Sequence, residues 1–123
     1  MQSSSLVLLH SDARIMPSLV ASLRGWFRSV QPVKSVDELR TSIAKHQAEV
    51  AILDMEVASI SDVEGLAHEF PGVCFVCTHR LADEAMWAAA LSAGAADICL
   101  SNDLTGIVSA AARQPSPAHP VAA

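Results

Sequence analysis

No apolar run in this chain of 123 residues approaches the roughly 20 that a membrane-spanning helix needs. The opening residues, Met1-Gln2-Ser3-Ser4-Ser5, lack the basic region and long apolar stretch of a secretory signal. A cytoplasmic location without membrane contact is therefore expected. Positive charge is also scarce. Eight Lys and Arg stand against 13 Asp and Glu, for a net charge of −5. With no basic stripe to meet phosphate backbones, the chain is not expected to bind nucleic acid directly. Cysteine is limited to three, an odd number that argues against a disulfide framework. Cys74 and Cys77 have C-x-x-C spacing, but inside Val73-Cys74-Phe75-Val76-Cys77, which reads as a buried strand. Residues three apart on a strand face opposite ways with Cα atoms roughly 10 Å apart, too far for a disulfide. Both then behave as small core hydrophobes, and Cys99 reads the same way. Glycine is missing from His10-Ser11-Asp12-Ala13 after the first apolar run, so no phosphate-cradling loop follows it. No internal repeat is present.

What the chain does have is apolar residues. They make up 51% of it, against 17% charged, a balance that excludes a disordered segment and suits one domain with a real core. Short apolar runs alternate with helix-like segments five times. Leu6-Val7-Leu8-Leu9 is the first strand candidate, followed by a helix from about Ala13 to Arg28. A weaker strand near Val30 to Val33 contains Pro32 and should lie at a sheet edge. Ser35-Val36-Asp37-Glu38 has the capping-box pattern and opens a helix to about His46. Val50-Ala51-Ile52-Leu53 is an unbroken apolar run that suggests burial on both faces. A third helix covers about Ile60 to Glu69 and is closed by Pro71-Gly72. Val73 to Cys77 is the fourth strand, and Ala82 to Ala93 a fourth helix stopped at Gly94. Ile98-Cys99-Leu100 and a helix from Leu104 to Ala112, capped by Asn102 or Asp103, complete the series. Such alternation means an α/β domain, a doubly wound parallel sheet with helices on both faces and ligands at the carboxyl ends of its strands. The domain should span residues 1–113. The proline-rich stretch 114–123 reads as a flexible tail or the start of a linker.

Three apolar runs end in polar residues at those carboxyl ends: Asp54, Thr78 and Ser101. With Ala51-Ile52-Leu53-Asp54-Met55 and Ala90-Leu91-Ser92-Ala93-Gly94-Ala95-Ala96-Asp97 in this order, the chain resembles the receiver domain of bacterial response regulators over roughly residues 6 to 112. The resemblance implies a flavodoxin-like or CheY-like sheet of five strands in order 2-1-3-4-5. It implies that Asp54 stands at the phosphoacceptor position and Thr78 at that of the hydroxyl that senses the phosphoryl group. The family's acidic pair, which holds a divalent cation, falls on His10 and Ser11, with Asp12 just beyond. Its lysine falls on Ser101 and its aromatic switch residue on Ile98. The Pro-Gly after the acceptor is replaced by Ala58-Ser59.

These departures carry chemical weight. Mg²⁺ prefers hard oxygen ligands, and imidazole with a hydroxyl is a poor substitute for two carboxylates. Only Asp12, if the loop re-registers, and Asp54 would remain for a weak metal site. Without the lysine, a preorganised cation is lost from the reaction. Arg80 lies just past the fourth strand, and nothing in the sequence aims it at Asp54. Asp54 also has a bland reading, as a solvated strand-end carboxylate. Thr78 has one as a hydroxyl bonded to local backbone. His10, Asp54 and His79 near one edge make a zinc-type cluster conceivable. Trp26 and Phe27 end the first helix, one in the core and one exposed.

The fourth helix, Ala85-Met86-Trp87-Ala88-Ala89-Ala90-Leu91 in its middle, has little polar surface. Met86 and Trp87 are expected to anchor an interface there, since the resemblance places the family's output face on the fourth helix and fifth strand. The expectation is a non-enzymatic signalling module of a two-component phosphorelay, a pseudo-receiver with weak or no phosphorylation. Its partners would be a signalling protein or a second copy, with a histidine kinase upstream. One rival is an active receiver phosphorylated on Asp54. A flavodoxin-like cofactor-binding or enzyme domain is the other.

Overall fold

The computed structural model describes residues 5–81 and 83–113, so the stretch 114–123 lies outside it. Five strands and five helices alternate along the chain: β1 (Ser5–Leu9), α1 (Met16–Leu23), β2 (Ser29–Val33), α2 (Val36–His46), β3 (Val50–Asp54), α3 (Ile60–Glu69), β4 (Cys74–His79), α4 (Glu84–Ala93), β5 (Asp97–Leu100) and α5 (Leu104–Arg113). The strands form one parallel sheet in the order β2-β1-β3-β4-β5. β2 lies at the edge, where Pro32 costs no ladder partner on its outer side.

Alternation along the strands divides the core in two. Val7, Leu9, Ala51, Leu53, Phe75 and Cys77 pack on the face covered by α2, α3 and α4. Leu6, Leu8, Ile52 and Val76 pack on the other, under Leu19 and Leu23 of α1 and Ile107 of α5. β3 is buried at all five positions, as its unbroken apolar run requires. Cys74 and Cys77 fall on opposite faces and stay free thiols. Burial pushes the Cys77 thiol up to about 12, with nearby Cys99 adding to the shift.

Several boundaries differ from the expected ones, each for a local reason. α1 begins at Met16, because Pro17 sits in its first turn, and ends before Gly25. It is thus much shorter than the stretch 13–28, and Trp26 and Phe27 lie beyond it. Phe27 is core and Trp26 is exposed. In α2, Ser35 accepts from the Glu38 amide, but the Glu38 carboxylate reaches past the cap to the Lys34 amide at 2.9 Å. Ser59 caps α3 in a reciprocal box with Asp62. Asp83 caps α4 through the Met86 amide, so that helix starts at Glu84 instead of Ala82. Asp103 caps α5 through the Gly106 amide.

Candidate functional site

The carboxyl ends of β1, β3, β4 and β5 bring together His10, Ser11, Asp54, Thr78 and Ser101. Asp54 closes β3 and has no solvent exposure, so it is not the solvated strand-end carboxylate of the bland reading. A parallel strand ends with its next amides free, and two such amides bind the carboxylate. Ser11 N–H donates to Oδ2 at 2.7 Å, and Glu56 N–H to Oδ1 at 2.8 Å. Both bonds are charge-assisted, which makes the buried position tenable.

His10 is buried and closes the site from the β1 side. Its Nδ1 faces the Asp12 amide at 3.1 Å, and its Nε2 faces the Ser101 carbonyl at 2.8 Å. A backbone N–H only donates and a carbonyl only accepts. Nδ1 is therefore the acceptor and Nε2 carries the proton, which fixes one neutral tautomer. Ser101 N–H in turn donates to the His79 carbonyl at 3.1 Å. Because β3 and β4 lie between β1 and β5, the imidazole is a latch across the strand ends beside Asp54. Sequence reasoning put His10 in this pocket but missed the latch, since its partner is a main-chain carbonyl 91 residues away.

Asp12 is not drawn inward. Its Oδ1 accepts from the Arg14 amide at 2.9 Å and from Arg14 Nε at 3.3 Å. These two bonds hold its carboxyl below the ordinary aspartate range. Arg80 is likewise directed away from Asp54, to Glu56 at 3.3 Å. His79 accepts from the Leu81 amide at 3.0 Å. Among the described residues no three His, Cys, Asp or Glu side chains gather as metal ligands, so the His10–Asp54–His79 cluster does not form. The residues present do not fit Mg²⁺ either. The Asp54 carboxylate is fully buried, that of Asp12 is bonded to a guanidinium, and an imidazole and a hydroxyl stand where two further hard oxygen ligands are needed.

Thr78 sits beside Asp54 in the β3–β4 register, fully buried. Among the described residues its Oγ1 has no hydrogen-bond partner, contrary to the expected bond to local backbone. Ile98 is buried in the core facing α2, α3 and α4. On α4, Trp87 stands out with 47% exposure, whereas Met86 is turned in against the core and is not part of an outward pair. Leu81 before α4 and Leu100 at the end of β5 are also exposed. Trp87 and Leu100 lie on the β5 side of the sheet, since α4 packs against β5 and Leu100 ends that strand.

No protein-family model matches the chain, and no curated protein does either. Solved structures do match. The signal receiver domain of a response regulator from Bacteroides fragilis superposes with a TM-score of 0.80 at 16% identity, covering 94% of this chain and 100% of that one. A CheY-like receiver domain protein from Methanospirillum hungatei gives 0.74 at 15%, over 87% and 89%. A response regulator from Burkholderia pseudomallei, solved with a phosphorylated aspartic acid, calcium ion and citrate, gives 0.75 at 16%, over 89% and 66%. With the strand order and the placement of Asp54 on the central strand, these likenesses establish the fold of this chain as that of response-regulator receiver domains.

Proposed function

We propose that this chain is a degenerate receiver, a non-enzymatic signalling domain that works through protein contacts with weak or no phosphorylation of Asp54. The observation that carries this reading is the sealed acceptor pocket. Asp54 has no exposure, both its oxygens hold backbone amides, and His10 is bonded across the strand ends to Ser101. A phosphoryl donor must reach an acceptor oxygen and needs a cation beside it. Here the position of the family's lysine carries a serine, and Asp12 is bonded to Arg14.

Mg²⁺ titration followed by amide NMR shifts is the direct test. Shifts at Asp12 and Asp54 should stay unsaturated well above the concentrations that fill an ordinary receiver. Tight saturable binding at these two residues would overturn the reading.

The working surface in this reading is the β5 side of the sheet, with Trp87 as its anchor. α4 carries exposed alanines at 85 and 88 next to Trp87, so its outer side is apolar where a surface helix is normally polar. A second copy of this chain is the simplest occupant of such a face, because a self-complementary patch closes into a dimer. Trp87→Ala should weaken self-association by about 2 kcal/mol or more, with little change in melting temperature since the ring is half exposed. Sedimentation equilibrium and thermal melts measure the two quantities. Unchanged association removes Trp87 from the interface, and a collapse in melting temperature makes it a core residue.

One observation favours the active phosphoacceptor instead. Among the described residues the Thr78 hydroxyl has no partner, and it lies beside Asp54 in the strand register, where a phosphoryl oxygen would satisfy it. Asp54-dependent labelling of the wild-type chain by acetyl phosphate, at a rate matching ordinary receivers, would decide for that reading.

A further inference from the structure

Between the start of α1 and the turn leading out of β2 lies a cavity of about 500 Å³ that the sealed pocket does not use. It lies where residues 10–15 run as an irregular loop before α1, whose first turn holds Pro17. Buried Leu9 and Val33 line it together with Met16 and the exposed Val57. His10, Ser11 and Lys34 supply the polar groups. The size and the balance of many apolar walls to few polar groups are those of a small-molecule site.

We propose that this cleft binds a small aromatic carboxylate. The apolar walls suit a flat hydrocarbon body, and Lys34 is the lysine or arginine among the residues that line them. Among the described residues its ammonium forms no ion pair, whereas Arg14 nearby is committed to Asp12. The cleft also communicates with the acceptor site. Ser11 and Val57 line it, and their amides bond Asp54, Ser11 to Oδ2 at 2.7 Å and Val57 to the backbone carbonyl at 3.0 Å. His10, the latch, is part of the same wall. A ligand here presses on the segments that close over Asp54 without any phosphoryl chemistry. The signalling role of the ligand rests on the degenerate-receiver reading; its binding does not.

The test is an amide NMR titration of the full chain with 1-naphthoate, with 1-naphthamide as the uncharged control and 1-naphthylmethylamine as the cationic one. Naphthoate should give saturable shifts at Ser11, Lys34 and Val57 at concentrations on the order of millimolar or below. The amide should bind about fivefold more weakly, the scale of one exposed charge pair, and the amine more weakly still. Lys34→Gln, an exposed change that leaves the core intact, should bring naphthoate down to the level of the amide. Ala13→Trp, which fills the mouth of the cleft from an exposed position, should weaken both. Equal binding of acid and amide, tighter binding of the amine, or no saturation at these amides would each overturn the proposal. Acetyl-phosphate labelling run in parallel separates the two readings. Fast labelling with intact naphthoate binding sinks the degenerate receiver alone, and slow labelling with no naphthoate binding sinks the cleft alone.

Discussion

Replacing His10 and Ser11 by aspartate and Ser101 by lysine should raise acetyl-phosphate labelling of Asp54, with Mg²⁺ present, on the order of 10²–10³-fold over wild type, the scale of one restored electrostatic donor. Each change answers a feature of the pocket. His10→Asp removes the imidazole bonded to the Ser101 carbonyl and opens the strand ends above Asp54. Ser11→Asp adds a carboxylate while keeping the backbone N–H that already holds Asp54 Oδ2. Ser101→Lys puts an ammonium at the end of β5. The new carboxylates repel Asp54, so the variant should be less stable than wild type without Mg²⁺ and should recover stability as the ion binds. The double variant Ser11→Asp, Ser101→Lys should fall short of the triple, because the His10 latch still closes the site. Adding Asp54→Asn to the triple should abolish labelling. A wild-type chain that labels as fast as the triple variant would show that the latch and the missing lysine limit nothing.

Gly94→Val should cost about 3 kcal/mol of folding stability, read as a drop in the denaturation midpoint. Two causes act together. Gly94 ends α4 with φ of +116°, a backbone conformation that suits glycine and that a β-branched residue does not adopt without strain. A Cβ built there would also lie 2.7 Å from the Ala67 Cβ on α3, so α3 and α4 would have to separate. The turn leads straight into buried Ala95, whose N–H bonds the Ala90 carbonyl at 3.0 Å, and on to β5. Gly65→Ala is the matched control. Gly65 lies within α3, and apart from its chain neighbours and the backbone of its own helix nothing comes within 4 Å of an added Cβ. That change should stabilise the chain by about 0.5–1 kcal/mol through helix propensity alone. Equal effects at the two positions would mean that neither the φ of Gly94 nor its contact with α3 matters.

The fold was legible in the chain because its signals are local. The unbroken run at residues 50–53, the cap at Ser35 and the stop at Gly94 each act over a few residues, and parallel strands joined by helices leave few topologies open. The edge position of β2 followed from Pro32, and the free thiols from the strand spacing of Cys74 and Cys77. The places of Asp54, Thr78 and Ser101 were legible for the same reason, since each lies within one residue of the end of a strand.

What those side chains do to one another was settled only by tertiary structure. Asp12 and Arg14 are two residues apart, yet whether the carboxylate turns to that guanidinium or to Asp54 depends on how the loop before α1 is laid down. Met86 and Trp87 are adjacent on one helix, and only the packing of α4 on the sheet turned one inward and left the other out. The burial of Asp54 needs amides from two different loops, and the latch needs the His10 ring and a carbonyl from opposite ends of the chain. Composition and periodicity specify which face a residue takes on its own element. They carry no information about a hydrogen bond between a side chain and a distant main-chain group, because every residue type offers the same carbonyl. The sequence by itself thus determined the alternation of strands and helices and the place of Asp54 at the end of the third apolar run, and tertiary structure alone decided that its carboxylate is buried under two backbone amides.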